Sequence, residues 1–174
     1  MKSSEKEVAR SFRLSKHAFE GLELAAREKN TTVNSVLREV VDQYVDYENA
    51  SSRMRLIHVD ATFLKFLTEG IPKEKMIEFA KSYANTIEGG MGLNKSFVKS
   101  VDGLINEIRI QCKYNSEKLV EMTHESKRIV IIVHEVGLNF SLFVANYYKT
   151  LFEAIGVKAE CDADENAAVI KFYS

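Results

Sequence analysis

The start of the chain alternates small or polar residues with larger ones, which predicts a short strand followed by a helix. Residues 8–14, VARSFRL, show the two-residue period of a half-buried strand. Ser15 then occupies an N-cap position, and residues 16–30 have the three- and four-residue spacing of one helical face. The residues on this face are Phe19, Leu22, Ala25 and Ala26. Asn30 suits the left-handed residue that ends such a helix.

A second amphipathic helix begins within residues 31–37, TTVNSVL. Its apolar stripe consists of Val33, Leu37, Val40, Val41, Tyr44 and Val45. The polar residues that open it are Thr31, Thr32, Asn34 and Ser35. A single N-cap needs only one such residue, and the free amides of a helix N-terminus form an anion site. We therefore expect this helix start to bind a phosphate in addition to being capped.

One strand and two short helices cannot bury both helical stripes by themselves. A unit of roughly 45 residues lies near the lower limit of independent folding. We therefore expect a homodimer, in which two strands pair antiparallel above interlocked helices. The first domain is expected over residues 1–50, and the polar stretch NASSR serves as a linker to the second domain, residues 53–174.

Residues 53–174 predict an α+β domain with an antiparallel sheet. Residues 53–59, RMRLIHV, form either a strand or an extension of the second helix. Asp60 is expected to cap a short helix, Pro72 to begin the next, and Asn94 to cap a third, with a loop at residues 88–94. The expected hairpins join residues 118–122 to 129–136 and residues 157–163 to 168–173, around a helix at residues 138–155. The run IVIIV at residues 129–133 does not alternate, which predicts a strand buried on both faces.

Composition indicates a folded protein and gives little support to DNA binding by charge alone. Of the 174 residues, 45% are hydrophobic and 28% are charged, as in ordinary globular domains. The formal net charge is −1, and residues 1–40 contain eight Lys or Arg against six Asp or Glu. Any DNA affinity must therefore come from the placement of a few groups and from the pairing of two chains.

The sequence predicts a cytoplasmic protein that does not enter membranes. No apolar run approaches the length of a membrane span, and the N-terminal residues lack the apolar region of a secretory signal. The two cysteines, Cys112 and Cys161, lie far apart and form no CxxC pattern, which suits a reducing compartment.

Two histidines are candidates for a metal site. His124 and His134 flank the first predicted hairpin and are expected to approach each other, with Glu135, Cys112 or Cys161 as further ligands. The alternative, which we favour, is that they are surface or hydrogen-bonded core histidines.

No other pattern predicts catalytic chemistry. The GGMG segment at residues 89–92 is not followed at once by a lysine–serine pair, so it is expected to be a helix connection and not a phosphate-binding loop. An aromatic group at helical spacing either lines a ligand pocket or, more commonly, forms core; it consists of Phe140, Phe143, Tyr147, Tyr148 and Phe152. The chain has no GxSxG or HExxH motif. We predict neither enzymatic activity nor a cofactor.

The pattern of residues 8–48 resembles the ribbon-helix-helix family of dimeric DNA-binding proteins, of the Arc/MetJ type. The matching segments are FRL at 12–14, the helix end at 26–30, and TTVNSVL. The resemblance implies that the paired strands enter the major groove and that the second helix presents its N-terminus to a DNA phosphate. Carried over by position, the implied base contacts are Ala9, Ser11 and Arg13, and the implied phosphate contacts are Thr32, Asn34 and Ser35. The implied core residues are Phe12, Leu14, Leu22, Val33, Leu37 and Val41.

Two positions depart from the family pattern. Arg10 stands where the alternation requires an inward apolar residue, and the Ala9 side chain has no polar group with which to read a base. Direct readout therefore falls to Ser11 and Arg13. An arginine that bonds guanine through two hydrogen bonds contributes about 1–3 kcal/mol of discrimination.

The sequence thus predicts a transcriptional regulator, either a repressor or an activator, that binds double-stranded DNA as a homodimer or a dimer of dimers. The second domain would add oligomeric contacts or sense a small-molecule effector. One alternative is an antitoxin-type autoregulator whose C-terminal half folds on a toxin. Another is a ligand- or metal-binding protein that uses its N-terminal module only to dimerise.

Overall fold

The computed structural model describes residues 11–45, 59–90, 100–124 and 126–173, with the backbone alone for residues 87–90. The chain divides into two compact units, residues 1–44 and residues 45–174. The domain boundary expected between residues 50 and 53 lies outside the described residues.

The first unit contains two helices, α1 (Lys16–Glu28) and α2 (Val33–Gln43). Ser15 caps α1 as predicted, because its hydroxyl accepts a hydrogen bond from the Ala18 amide at 3.2 Å. Asn30 has a φ of 50°, so the predicted left-handed residue after α1 is also confirmed.

The segment before α1 takes no regular secondary structure at residues 11–15. Residues 8–10, which complete the expected strand, lie outside the described residues. The ribbon that the resemblance implies forms between the strands of two chains, so it stays a prediction.

The second unit contains four further helices within its described residues. They are α3 (Ala61–Glu69), α4 (Lys73–Gly90), α5 (Val101–Tyr114) and α6 (Leu138–Ala154). Asp60 caps α3 as predicted, since its carboxylate accepts from the Phe63 amide at 2.9 Å. The loop expected at residues 88–94 is wrong for residues 88–90, because α4 continues through Gly90, and residues 91–94 lie outside the described residues. Ser100 caps α5, whereas the expected cap Asn94 lies outside the described residues.

The strands of the second unit form one antiparallel sheet, which confirms the predicted α+β class. They are β1 (Lys118–His124), β2 (Lys127–Val133), β3 (Ala159–Ala163) and β4 (Ala167–Tyr173). Their order across the sheet is β1-β2-β4-β3, so that the two hairpins meet where β2 pairs with β4.

One face of this sheet packs against α5 and α6 and forms the core. Its side chains alternate along the strands, with Val130 and Ile132 of β2 beside Ile170 and Phe172 of β4, all four at most 1% exposed. Ile131, between the two buried β2 residues, is only half-buried. The expectation that residues 129–133 are buried on both faces is therefore wrong for the single chain, because the described helices cover only one face.

Among the described residues, no helix combines the length and the apolar character that a membrane crossing requires.

Candidate functional site

The beginning of α2 is an exposed, polar helix start. Thr32 is the N-cap, and its hydroxyl accepts from the Ser35 amide at 3.2 Å and pairs with the Ser35 hydroxyl at 2.9 Å. The Val36 amide makes the first intrahelical bond, to the Thr32 carbonyl at 3.1 Å. Helix geometry leaves the two earlier amides, of Val33 and Asn34, without an intrahelical acceptor. Thr32, Asn34 and Ser35 are all exposed, so an anion can reach these donors.

The turn between α1 and α2 fixes the direction of this helix start. The Thr31 amide donates to the Ala26 carbonyl at 2.9 Å, and the Asn30 amide donates to the Arg27 carbonyl at 3.1 Å. These two bonds, with Asn30 in the left-handed region, form a Schellman motif. The motif uses carbonyls at the end of α1 and allows the N-cap of α2, Thr32, to follow the C-cap of α1, Lys29, by three residues.

The residues implied to contact DNA bases precede α1. Ser11 and Arg13 are exposed, and Ala9 lies outside the described residues. The side chains of Ser11 and Arg13 are therefore accessible to solvent in the single chain.

The apolar residues of the first unit are only partly buried. Of the residues implied to form its core, Phe12, Leu14 and Val41 are 72%, 45% and 49% exposed. The other three, Leu22, Val33 and Leu37, are half-buried. Among the described residues of the unit, Ala26 and Val36 are buried, each 4% exposed. The sequence interpretation omitted Val36, although its place three residues after Val33 and four before Val40 was a sufficient signal.

The expectation that His124 and His134 approach each other is wrong. His124 ends β1 opposite Lys127, at the turn of the hairpin, whereas His134 follows the far end of β2. A seven-residue strand at about 3.4 Å per residue separates the two histidines by more than about 20 Å. Within the described ranges, no three His, Cys, Asp or Glu residues are grouped so as to bind a metal ion.

His134 instead takes part in a buried hydrogen-bond network with the start of α6. Its Nδ1 accepts from the Val136 amide at 3.2 Å, and its Nε2 lies 3.0 Å from the Ser141 hydroxyl. A neutral ring that accepts at Nδ1 carries its proton on Nε2 and donates it to Ser141. A catalytic base would need a free lone pair on Nε2, so this network is structural.

A small cavity lies at the N-terminus of α6. It has a volume of about 280 Å³ and is lined by Lys65, Thr68, Glu69, Val136, Gly137, Leu138, Asn139, Glu165 and Asn166. Gly137 is the N-cap, with a φ of 109° and no side chain to cap the helix. The Asn139 side chain donates to the Thr68 and Ile71 carbonyls, each at 2.7 Å, which ties α6 to the end of α3. The sequence interpretation missed this cavity; a glycine directly before an apolar helix was its only signal.

The aromatic residues of α6 serve packing. Phe152 and Tyr148 belong to the core, and Phe152 stacks on Phe172 of β4 with ring centroids 4.3 Å apart. Phe143 and Tyr147 contact aromatic rings of α4 at centroid distances of 5.7 and 5.8 Å. The rings therefore join α4, α6 and the sheet, as the core interpretation predicted.

The two cysteines are free and shielded. Cys112 is 3% exposed in α5, and burial together with the nearby Glu117 raises the pKa of its thiol to about 12. Burial also raises the pKa of the half-buried Cys161. A thiol with a raised pKa is a poor nucleophile and a poor metal ligand at neutral pH.

Comparison with known proteins gives the chain no relative. No protein-family model, no curated protein and no solved structure matches it. The likeness of residues 8–48 to the ribbon-helix-helix family therefore rests on the sequence pattern alone.

Proposed function

We propose that this protein is a cytoplasmic, DNA-binding transcriptional regulator that acts as a homodimer. The first unit supplies a two-stranded ribbon from two chains, and the second unit adds oligomeric contacts or responds to an effector. The observation that carries this proposal is that large apolar side chains of the first unit are exposed to solvent in the single chain. Phe12, Leu14 and Val41 remain exposed in one chain, and a second copy gives them a partner.

The geometry of α2 supports the DNA-binding part of the proposal. A positive helix end with two free amides and three exposed polar side chains is suited to a backbone phosphate. Such a contact fixes the position of the protein on the duplex, while sequence is read by side chains that reach base edges. In this chain, those side chains are Ser11 and Arg13.

The experiment that tests the proposal is a salt series of binding to a duplex from the region upstream of the gene and to a scrambled duplex. We expect selective binding by the wild type, with an affinity that falls steeply as salt rises. Arg13→Ala removes one base contact per chain. At about 1–3 kcal/mol for each arginine, the dimer loses tenfold or more in affinity for the selected duplex.

Arg27→Ala is the matched control for this experiment. Arg27 is also an exposed arginine of the first unit, but it lies at the end of α1, outside the implied DNA contacts. It should leave the selectivity unchanged. If the wild type binds neither duplex at low salt, the proposal fails, and Thr32 and Ser35 serve only as a helix cap.

The structure disfavours the antitoxin alternative. An antitoxin tail that folds on its toxin has no core of its own, whereas residues 45–174 form a compact unit around a sheet with fully buried side chains. The other alternative, a module used only for dimerisation, predicts that Arg13→Ala leaves function unchanged. The same binding experiment therefore separates it from our proposal.

The candidate effector site of the second unit is the cavity at the start of α6. The cavity at the start of α6 is close to the lower end, about 300 Å³, of the volumes usual for small-molecule sites. It contains both Lys65 and the acidic Glu69 and Glu165. An effector that bound there would act by favouring one arrangement of the two DNA-binding modules over another.

A further inference from the structure

The second face of the sheet carries an apolar surface that no described helix of the second unit covers. Paired residues of neighbouring strands share a face, so Val120, Ile131 and Val169 lie side by side on this face. Together, the residues that we call the open face are Val120, Met122, Ile129, Ile131, Val133 and Val169. None of them belongs to the core cluster formed with α5 and α6.

The open face is an apolar strip across β1, β2 and β4, and Lys127 and Lys171 lie on the same side of the sheet at its end. Ile129, Ile131 and Val133 are half-buried, and Met122 is 47% exposed. An antiparallel sheet with one solvated face normally alternates apolar and polar residues, whereas β2 is apolar on both faces. Contiguous apolar surface of this kind marks an interaction site.

We propose that the open face pairs with the open face of a second copy of this chain, sheet on sheet. An isologous contact requires a self-complementary surface, and the charges at the two edges of the open face have opposite sign. Lys118 of β1 lies at one edge, and Glu160 and Asp162 of β3 lie at the other. The Asp162 carboxylate already pairs with Lys171 on the same face.

The charges select one of the two ways in which a two-fold axis can relate the sheets. An axis perpendicular to the strands places β3 over β3 of the partner in the reverse direction, so that the edge with Glu160 and Asp162 meets the same acidic edge of the partner. An axis parallel to the strands places β1 over β3 of the partner, so that Lys118 meets the edge with Glu160 and Asp162. Opposite charges at close range are favourable and like charges are not, so the geometry selects the parallel axis.

The area of this face is close to what a contact between two copies requires. Three strands of seven residues and one of five, at about 3.4 Å per residue and about 4.8 Å between strands, give a footprint of roughly 420 Å² per copy and about 850 Å² for two. Side-chain relief makes the accessible area larger than this flat footprint. The contact therefore approaches the roughly 1,000 Å² that specific interfaces require.

The test uses the full chain and measures its mass by sedimentation equilibrium over a wide concentration range. Val41→Glu places a charge on the exposed stripe of the first unit and removes pairing through that unit. We expect the Val41→Glu protein to remain dimeric through the open face. Adding Ile131→Glu, which buries a charge at the centre of the proposed contact, should make it monomeric.

The control for added charge is Thr123→Glu in the Val41→Glu background. Thr123 is an exposed residue of β1 and faces the opposite side of the sheet, beside Arg128. This variant should remain dimeric. If circular dichroism shows that Ile131→Glu disrupts the sheet, Met122→Glu on the edge strand makes the same test at a more exposed position.

The result that overturns the inference is a monomeric Val41→Glu protein with an intact sheet. The inference does not rest on DNA binding, and Ile131→Glu alone separates it from the dimer of the proposed function. That single variant should stay dimeric through the first unit. A monomeric Ile131→Glu protein would refute pairing through the first unit. It would identify the open face as the contact that holds the dimer together.

Discussion

At the scale of single residues, the His134 network shows how burial determines the protonation of a side chain. His134 and Ser141 are 5% and 0% exposed. Burial lowers the pKa of His134, and the charge of Asp164 opposes this effect without cancelling it. The ring is therefore neutral at neutral pH, and it connects the end of β2 to the first turn of α6 through Val136 and Ser141.

This lowered pKa predicts a loss of stability in mild acid. In the unfolded chain His134 gains a proton near its ordinary pKa of about 6.5, whereas the folded chain gains it only at lower pH. Between these values the unfolded state binds more protons, so the free energy of unfolding falls as the pH falls. The contribution of the neutral ring is complete above about pH 6.5 and is lost as the pH falls through the folded pKa.

The measurement compares denaturant unfolding at about pH 7.5 and about pH 5.5, which bracket the ordinary histidine pKa. His134→Asn keeps an acceptor for the Val136 amide but cannot gain a proton, so its loss between the two pH values should be smaller than that of the wild type. His124→Asn changes an exposed histidine and should behave as the wild type. Burial also raises the pKa of Glu117, but this group is common to all three proteins and cancels in the comparison. Equal losses in the wild type and His134→Asn would refute the assignment.

At the scale of the element, a comparison of the two N-caps of the first unit distinguishes an effect on helix stability from an effect on DNA binding. Ser15 and Thr32 accept from the amides of Ala18 and Ser35 at the same distance, 3.2 Å. Removing either hydroxyl should cost about 0.5–2 kcal/mol of stability. Because only α2 is proposed to face a phosphate, Thr32→Ala should weaken DNA binding more than Ser15→Ala.

This comparison requires thermal unfolding and DNA titration of the same two variants. Their similar loss of stability makes Ser15→Ala the control for any indirect effect of a frayed helix. Equal losses of DNA affinity would contradict a phosphate contact at α2. Asn34→Ala adds a further check, because it leaves the Thr32 cap intact and changes only an exposed side chain beside the free amides.

Sequence was a good guide to elements whose boundaries depend on local chemistry. Ser15, Asp60 and Asn30 were recognised because a cap or a left-handed residue depends on a few neighbouring atoms. The sequence predicts a loop at Gly89 and Gly90, yet α4 continues through both. A glycine costs a helix only about 1 kcal/mol, so this pair lowers the helical preference of the last turn of α4 without excluding it.

Features that depend on distant parts of the chain could not be predicted from sequence. The separation of His124 from His134 depends on the register and length of the hairpin, which place them at opposite ends. The cavity at Gly137 is lined by residues of α3 and of the start of α6, which Asn139 joins across about seventy residues of sequence. The polar start of α2 was recognised because its four polar residues are contiguous with the helix that they open.

At the scale of the whole molecule, the two units differ in how far one chain can complete them. The second unit has a continuous core in which Leu104, Phe152 and Phe172 are all fully buried. The first unit has only Ala26 and Val36 buried in its described residues, and exposed Phe12 and Leu14. Stability that comes from a partner depends on protein concentration, whereas stability from an internal core does not.

The difference predicts a hydrogen-exchange pattern that changes on dilution. As the dimer dissociates, the amides of α1 and α2 should lose protection, because a unit of this size has too little core to fold alone. The amides of β4 and α6 should stay protected, because their hydrogen bonds surround a core that a single chain buries without a partner. The measurement is exchange followed by peptide mass analysis at high and low concentration. Protection of α1 and α2 that persists in a monomer, shown by its mass, would mean that this unit folds without a partner. The exposure of Phe12 and Val41 would then be no argument for a dimeric DNA-binding module.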